Sequence, residues 1–128
     1  ILCRTSNPGG SDLQNLKLSS GMHLYEHVAL LADSWNEHGN VGLVVGATNP
    51  DELQRVRTLT PDLPFLVPGI GAQKGDAEPA AKYCLSSSNA GLVSASRSII
   101  FAGEGDTFDK SAAEAAKRAR NLLNQFLS

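Results

Sequence analysis

The chain has 128 residues, 41% of them hydrophobic, and a formal charge of −2. That length suits one small domain, and the lack of a basic surplus argues against a nucleic-acid partner. No apolar run reaches membrane-spanning length and the opening residues carry no signal-peptide pattern, so no membrane association and a cytoplasmic location are expected.

Residues 1–5 (Ile-Leu-Cys-Arg-Thr) read as a buried strand, ended by the turn cluster Ser6-Asn-Pro-Gly-Gly10. A chain that opens inside a strand, with no methionine and no leading cap, is expected to be a piece of something longer. A polar connection, residues 11–21, leads to a helix in which Leu24, Val28, Leu31, Ala32 and Trp35 recur at helical spacing. That helix is predicted to end at Gly39, with His38 in its last turn. Residues 41–45 form the second strand, an unbroken apolar run of the kind buried on both faces. Gly46-Ala-Thr-Asn-Pro50 ends it, and Asp51 opens a short helix carrying Leu53, Val56 and Leu59.

The third strand is very short, because Pro64 and Pro68 bracket it and proline cannot donate within a central ladder. It runs into Gly69-Ile-Gly-Ala-Gln-Lys-Gly75, whose glycines let the backbone turn sharply and approach a ligand; an ordinary βα turn is the plain alternative. Asp76 is predicted to cap the next helix, around Ala80, Ala81, Cys84 and Leu85. Residues 92–95 are the fourth strand, running into Ser96-Arg-Ser98. A final helix from about Thr107 places Phe108, Ala112, Ala115, Ala119, Leu122, Leu123 and Phe126 on one side. Cys3 and Cys84 stand in no metal-binding spacing and are expected as reduced, mostly buried thiols.

The order is therefore strand then helix, four times over. It implies parallel strands joined by right-handed crossovers: a small open sheet, or half of an eight-stranded barrel. The barrel is favoured, since the unusual residues all follow strands: Ser6-Asn-Pro8, Gly46-Ala-Thr48, Pro68 to Gln73, and Ser96-Arg97. The helix-to-strand turns are bland. In such barrels the loops after the seventh and eighth strands often hold a phosphate. If strands three and four are those two, Gln73 and Arg97 flank it, with backbone N–H groups of Gly75, Ser96 and Arg97 aimed at the anion. An arginine just past a buried strand suits a bidentate grip on phosphate; a surface salt bridge is its plain alternative.

Thr5-Ser-Asn-Pro8, Val44-Val-Gly-Ala-Thr48, Leu66-Val-Pro-Gly-Ile-Gly-Ala-Gln-Lys-Gly-Asp76 and Ser96-Arg-Ser-Ile-Ile-Phe-Ala102, in this order, resemble orotidine 5'-phosphate decarboxylase. Trp35-Asn36 and the Gly-Asn-Val-Gly-Leu-Val-Val-Gly-Ala-Thr run are similar to its longer bacterial subfamily. The resemblance covers essentially the whole chain but only the carboxyl-terminal half of that family's TIM (β/α)8 barrel. It implies a single decarboxylase domain of which residues 1–128 are the carboxyl-terminal half-barrel, the amino-terminal half being absent.

The resemblance also implies roles. Ser6 matches the residue that contacts the pyrimidine near the scissile carboxylate, with Asn7-Pro8 shaping its loop. Pro68 matches an apolar contact to the base. Gln73 matches a residue reaching between base and phosphate, and Arg97, with the Ser96 backbone, the main phosphate anchor. The implied ligands are orotidine 5'-phosphate and UMP, with no cofactor and no metal. The implied partners are the missing half-barrel and a second copy in a homodimer.

The family's acid–base chemistry rests on an Asp-x-Lys-x-x-Asp array in the amino-terminal half, and no such pattern occurs in this sequence. Protonating a carbanion while expelling a carboxylate needs a lysine beside carboxylates, so no catalytic residue is assigned. The isolated chain is expected to bind weakly and not to decarboxylate. His23-Leu-Tyr-Glu-His27 fits the H-x-x-E-H pattern of inverted zinc peptidases, but no third ligand stands at a plausible spacing; a polar helix flank is the plainer reading. Two rivals stay open: another phosphate-binding barrel, such as a sugar-phosphate decarboxylase or isomerase, and a non-catalytic half-barrel assembly module.

Overall fold

The structure, a computed structural model, describes residues 1–70, 76–85 and 91–126. Four short strands, β1 (Leu2–Arg4), β2 (Leu43–Val45), β3 (Phe65–Pro68) and β4 (Leu92–Ser94), form one parallel sheet in the order β1-β2-β3-β4. That order is decisive among the two expected architectures. A doubly wound open sheet reverses its strand order at a switch point, whereas here each strand lies beside its predecessor, as in a barrel.

Between the strands run α1 (Gly10–Gln14), α2 (Leu24–Ser34), α3 (Pro50–Leu59) and α4 (Ala77–Cys84). After β4 come α5 (Arg97–Ile100), a 3-10 turn (Gly105–Thr107) and α6 (Phe108–Asn124). One core joins Leu43, Val45, Phe65 and Val67 of the sheet to Ala29 and Ala32 of α2, Leu53 and Val56 of α3, and Ala80 and Cys84 of α4. These sheet residues alternate, so they occupy one face only. The helices therefore cover that single face, as right-handed crossovers require.

The other face is open. Leu2 pairs with Val44, Val44 with Leu66 and Leu66 with Leu92 across the sheet, which sets four apolar side chains in one row. Leu2 is 64% and Leu92 70% exposed. The expectation that the second strand is buried on both faces is thus corrected: Leu43 and Val45 on the helix side are buried, and Val44 on the other face is only half-buried.

Several boundaries differ from expectation. The connection after β1 contains the helical turn α1, closed by Gly10 N–H donating to the Asn7 carbonyl and Ser11 N–H to that of Pro8. The segment after β4 is likewise helical: the Ser96 carbonyl accepts from Ile99 and Ile100. In α2 the buried stripe is Tyr25, Ala29 and Ala32, not the larger Leu24, Val28, Leu31 and Trp35. Trp35 is 58% exposed. Alanines bring the helix close to the sheet, and the bulky residues flank the contact. The helix also stops at Ser34, short of Gly39. On α6 Ala115 is buried and Ala112, Ala119, Leu123 and Phe126 are half-buried on the expected side, but Phe108 and Leu122 are exposed.

Candidate functional site

The carboxyl ends of the strands gather Ser6, Pro68, Ser96 and Arg97. Gly69 follows β3 with φ +102°, a conformation that side chains disfavour, and so turns the chain sharply off the sheet. Beyond it, Pro68, Ser96 and Arg97 line a cavity of about 140 Å3, together with Gly69, Ile70, Ser94 and Ala95. Two of these lining residues, Ser96 and Arg97, start α5, where the Ser96 carbonyl accepts from the Ile99 and Ile100 N–H groups. Arg97 is exposed there, and among the described residues it pairs with no carboxylate. The salt-bridge alternative for Arg97 thus finds no partner among them.

Ser6 reaches the same rim from β1. Its Oγ donates to the Pro68 carbonyl at 3.4 Å. The approach depends on Gly46, because a Cβ on that residue would overlap Ser6 Oγ and crowd its backbone nitrogen. The Ala47 N–H donates to the same Pro68 carbonyl at 2.9 Å, so three strand ends meet at one oxygen. Pro8 is not brought into this group; it is exposed on the turn that starts α1. Gln73 and Gly75 lie outside the described residues. Asp76 caps α4 as expected, accepting from Glu78 N–H at 3.1 Å.

A larger hollow, about 450 Å3, lies elsewhere. It borders Gly42, Pro64 and Gly91, just before their strands, and is lined by Val44, Leu66 and Leu92. With hardly a polar group to orient a ligand, it is the uncovered side of the sheet rather than a reaction site.

Within the His23–Glu26–His27 trio, His23 and Glu26 are engaged in structure and His27 is exposed. Glu26 accepts from the His23 backbone N–H (2.7 Å) and from Arg55 Nε (2.6 Å), and His23 Nδ1 donates to the Asn15 carbonyl (2.9 Å). This is the carboxylate half of a capping box. Burial pushes the Glu26 carboxyl up, but the bonds from Arg55 and His23 outweigh it and hold the group below its ordinary range. No group of three His, Cys, Asp or Glu able to hold a metal occurs among the described residues.

Neither thiol is poised for chemistry. Cys3 Sγ donates to the Tyr25 carbonyl (3.2 Å) and Cys84 Sγ to that of Phe65 (3.4 Å). Burial pushes Cys3 up to about 12 and Cys84 up to about 11, which suppresses the reactive thiolate.

Sequence reasoning missed two arginines, one buried and one half-buried. Arg4, 2% exposed, pairs with Glu52 at 2.7 Å beneath the Ser6 loop. Arg57 lies 3.6 Å over the Phe65 ring and donates to the carbonyls of Thr60, Pro61, Leu63 and Tyr83. The turn that reads as bland is therefore built around Arg57. The available signal was weak: a lone arginine ending an apolar strand, and an acidic residue in the first turn of α3.

The family model described as orotidine 5'-phosphate decarboxylase / HUMPS family matches residues 1–116. The chain is 59% identical to the orotidine 5'-phosphate decarboxylase of Haloarcula marismortui, over 98% of this chain and 48% of that protein. It is 54% identical to that of Bordetella avium, over 97% and 47%. Among solved structures, Leishmania donovani UMP synthase superposes with a TM-score of 0.82 at 41% identity, covering 98% of this chain and 27% of that one. Leishmania donovani OMP decarboxylase gives 0.74 at 38% identity, covering 96% and 46%. The chain spans about half the length of the curated relatives it matches, in keeping with the four βα units of a half-barrel.

Proposed function

The chain belongs to the orotidine 5'-phosphate decarboxylase / HUMPS family, and we propose that it supplies the phosphate and pyrimidine side of a decarboxylase that converts orotidine 5'-phosphate to UMP and CO2 in pyrimidine biosynthesis. The observation that carries this reading is the rim cavity: Pro68, Ser96 and Arg97 share it, and Ser6 is tied to its edge through the Pro68 carbonyl.

Arg97 grips the phosphate with its guanidinium fork, and Ser6 and Pro68 meet the base. Phosphate binding far from the bond that breaks supplies energy for holding the reacting end in place. The lysine–aspartate array that protonates the carbanion comes from an amino-terminal half-barrel, of which residues 1–128 are the carboxyl-terminal complement within one domain. That half closes over the open row of Leu2, Val44, Leu66 and Leu92, whose exposure would otherwise be a liability. Gln73 reaches between base and phosphate. Pro8 shapes the loop that carries Ser6. The complete enzyme works as a cytoplasmic homodimer.

The test is an assay of orotidine 5'-phosphate decarboxylation by the chain alone and after mixing with the amino-terminal half of the Haloarcula marismortui relative. No turnover alone and turnover on mixing is the expected result. Turnover by the chain alone would overturn the division of labour.

A further inference from the structure

The Arg4 side chain should share a sheet face with Leu2, since strand residues two apart point the same way. It does not. The register slips within β1: Leu2 pairs with Val44 but Arg4 with Val45, two residues on one strand against one on the other. Such a bulge re-aims a side chain, and Arg4 is turned to the helix side, where it is 2% exposed.

There its guanidinium makes five hydrogen bonds. Nε and Nη2 donate to Glu52 (2.7 and 3.4 Å), Nη2 to Ser11 Oγ (3.0 Å), and Nη1 to the Thr5 carbonyl (3.0 Å) and Gln14 Oε1 (2.9 Å). Gln14 Oε1 in turn accepts from Thr5 N–H (3.0 Å), and its Nε2 donates to Thr5 Oγ1 (3.1 Å). Both ends of the segment from Thr5 to Gln14 are thus tied to one buried cation, which Glu52 at the start of α3 neutralises. The residue after Thr5 is Ser6.

We infer that Arg4 and Gln14 are positioning residues, which fix the Thr5 backbone so that Ser6 stands at the rim against the Pro68 carbonyl. The inference rests on the proposed role of Ser6 toward the pyrimidine. Neither residue touches the cavity of Pro68, Ser96 and Arg97, so their effect falls on the base end of a nucleotide and not on its phosphate end. Arginine is needed rather than lysine because the fork serves four acceptor groups at once and an ammonium is a point donor.

The test compares two ligands on the chain, UMP and ribose 5-phosphate, which lacks the base, with binding followed by backbone amide shifts. In Gln14→Leu, UMP binding weakens about tenfold, the loss of one or two hydrogen bonds' worth of order. The Ser6 amide no longer responds to UMP, while ribose 5-phosphate binds as before and still shifts the Ser96 and Arg97 amides. Gln14→Glu keeps the acceptor oxygen and recovers most of the UMP affinity. Equal losses for both ligands would mean a merely structural role and overturn the inference, as would unchanged UMP binding in Gln14→Leu. If UMP shifts no amide of the unaltered chain, the reading of the site itself fails, and the inference with it.

Discussion

Ser6 Oγ and the Pro68 carbonyl, 3.4 Å apart, join the first strand end to the third across the second. This contact converts two loops far apart in sequence into one rim. It also places the Ser6 hydroxyl beside the cavity that Pro68 and Arg97 line. On the proposed reading, Ser6 and Pro68 form the base end of the site and Ser96 and Arg97 its phosphate end.

Arg97 is exposed and has no carboxylate partner among the described residues, so its removal costs binding and not fold. Arg97→Ala is expected to weaken UMP binding by about 10- to 100-fold, as losing a charge-assisted pair of hydrogen bonds implies. Thermal unfolding should be unchanged. Arg97→Lys recovers only part, lacking the fork. Calorimetric titration measures both.

Glu52 is the only carboxylate against the buried Arg4 guanidinium among the described residues. Glu52→Ala leaves that cation uncompensated, and a loss of about 3 kcal/mol is expected, read from urea unfolding. The control is Glu114→Ala, which removes the exposed pair with Arg118 at 3.7 Å on α6. Exposed pairs contribute little, so that variant should unfold with the parent.

The thiols give a pH dependence. In the unfolded chain both ionise near their ordinary value of 9.0, while in the fold burial holds their protons to about 12 for Cys3 and about 11 for Cys84. Below pH 9 neither state is charged and nothing is lost. As pH rises above 9 the unfolded chain releases protons that the fold retains, so stability falls. Unfolding midpoints should decline from pH 9 upward in the parent, and much less in a Cys3→Ala, Cys84→Ala variant. At pH 8 a disulfide reagent should label both thiols only as fast as the chain opens.

The strand order, the parallel sheet and the rim were legible because each strand is a compact apolar run followed by turn residues. The cap at Asp76 was legible for the same reason, a side chain with one local partner. What was not legible depends on distant contacts. The short helix α1 hides in Ser, Gly and Pro, which also signal irregular loops, and α5, Arg97–Ile100, is a single turn too short to show a helical period. Of the stripe expected on α2 only Ala32 is fully buried, because periodicity weights Leu24, Val28, Leu31 and Trp35 above an alanine such as Ala29, whereas close packing selects the alanines. The bulge in β1 shows only in its pairing with β2, and with it the burial of Arg4. Arg57 reads as a surface residue until Phe65 and four carbonyls are found beneath it. Of the rim residues, Ser6, Pro68, Ser96 and Arg97 come together, and Pro8 stands apart on its turn.

The most direct test is to titrate UMP into the isotopically labelled chain and map the amides that respond. Weak, saturable shifts are expected at Ser6, at Gly69 after β3, and at Ser96 and Arg97, with no decarboxylation of orotidine 5'-phosphate by the same sample. Shifts confined to the hollow bordered by Gly42, Pro64 and Gly91, or no shifts at all, would contradict the proposed site.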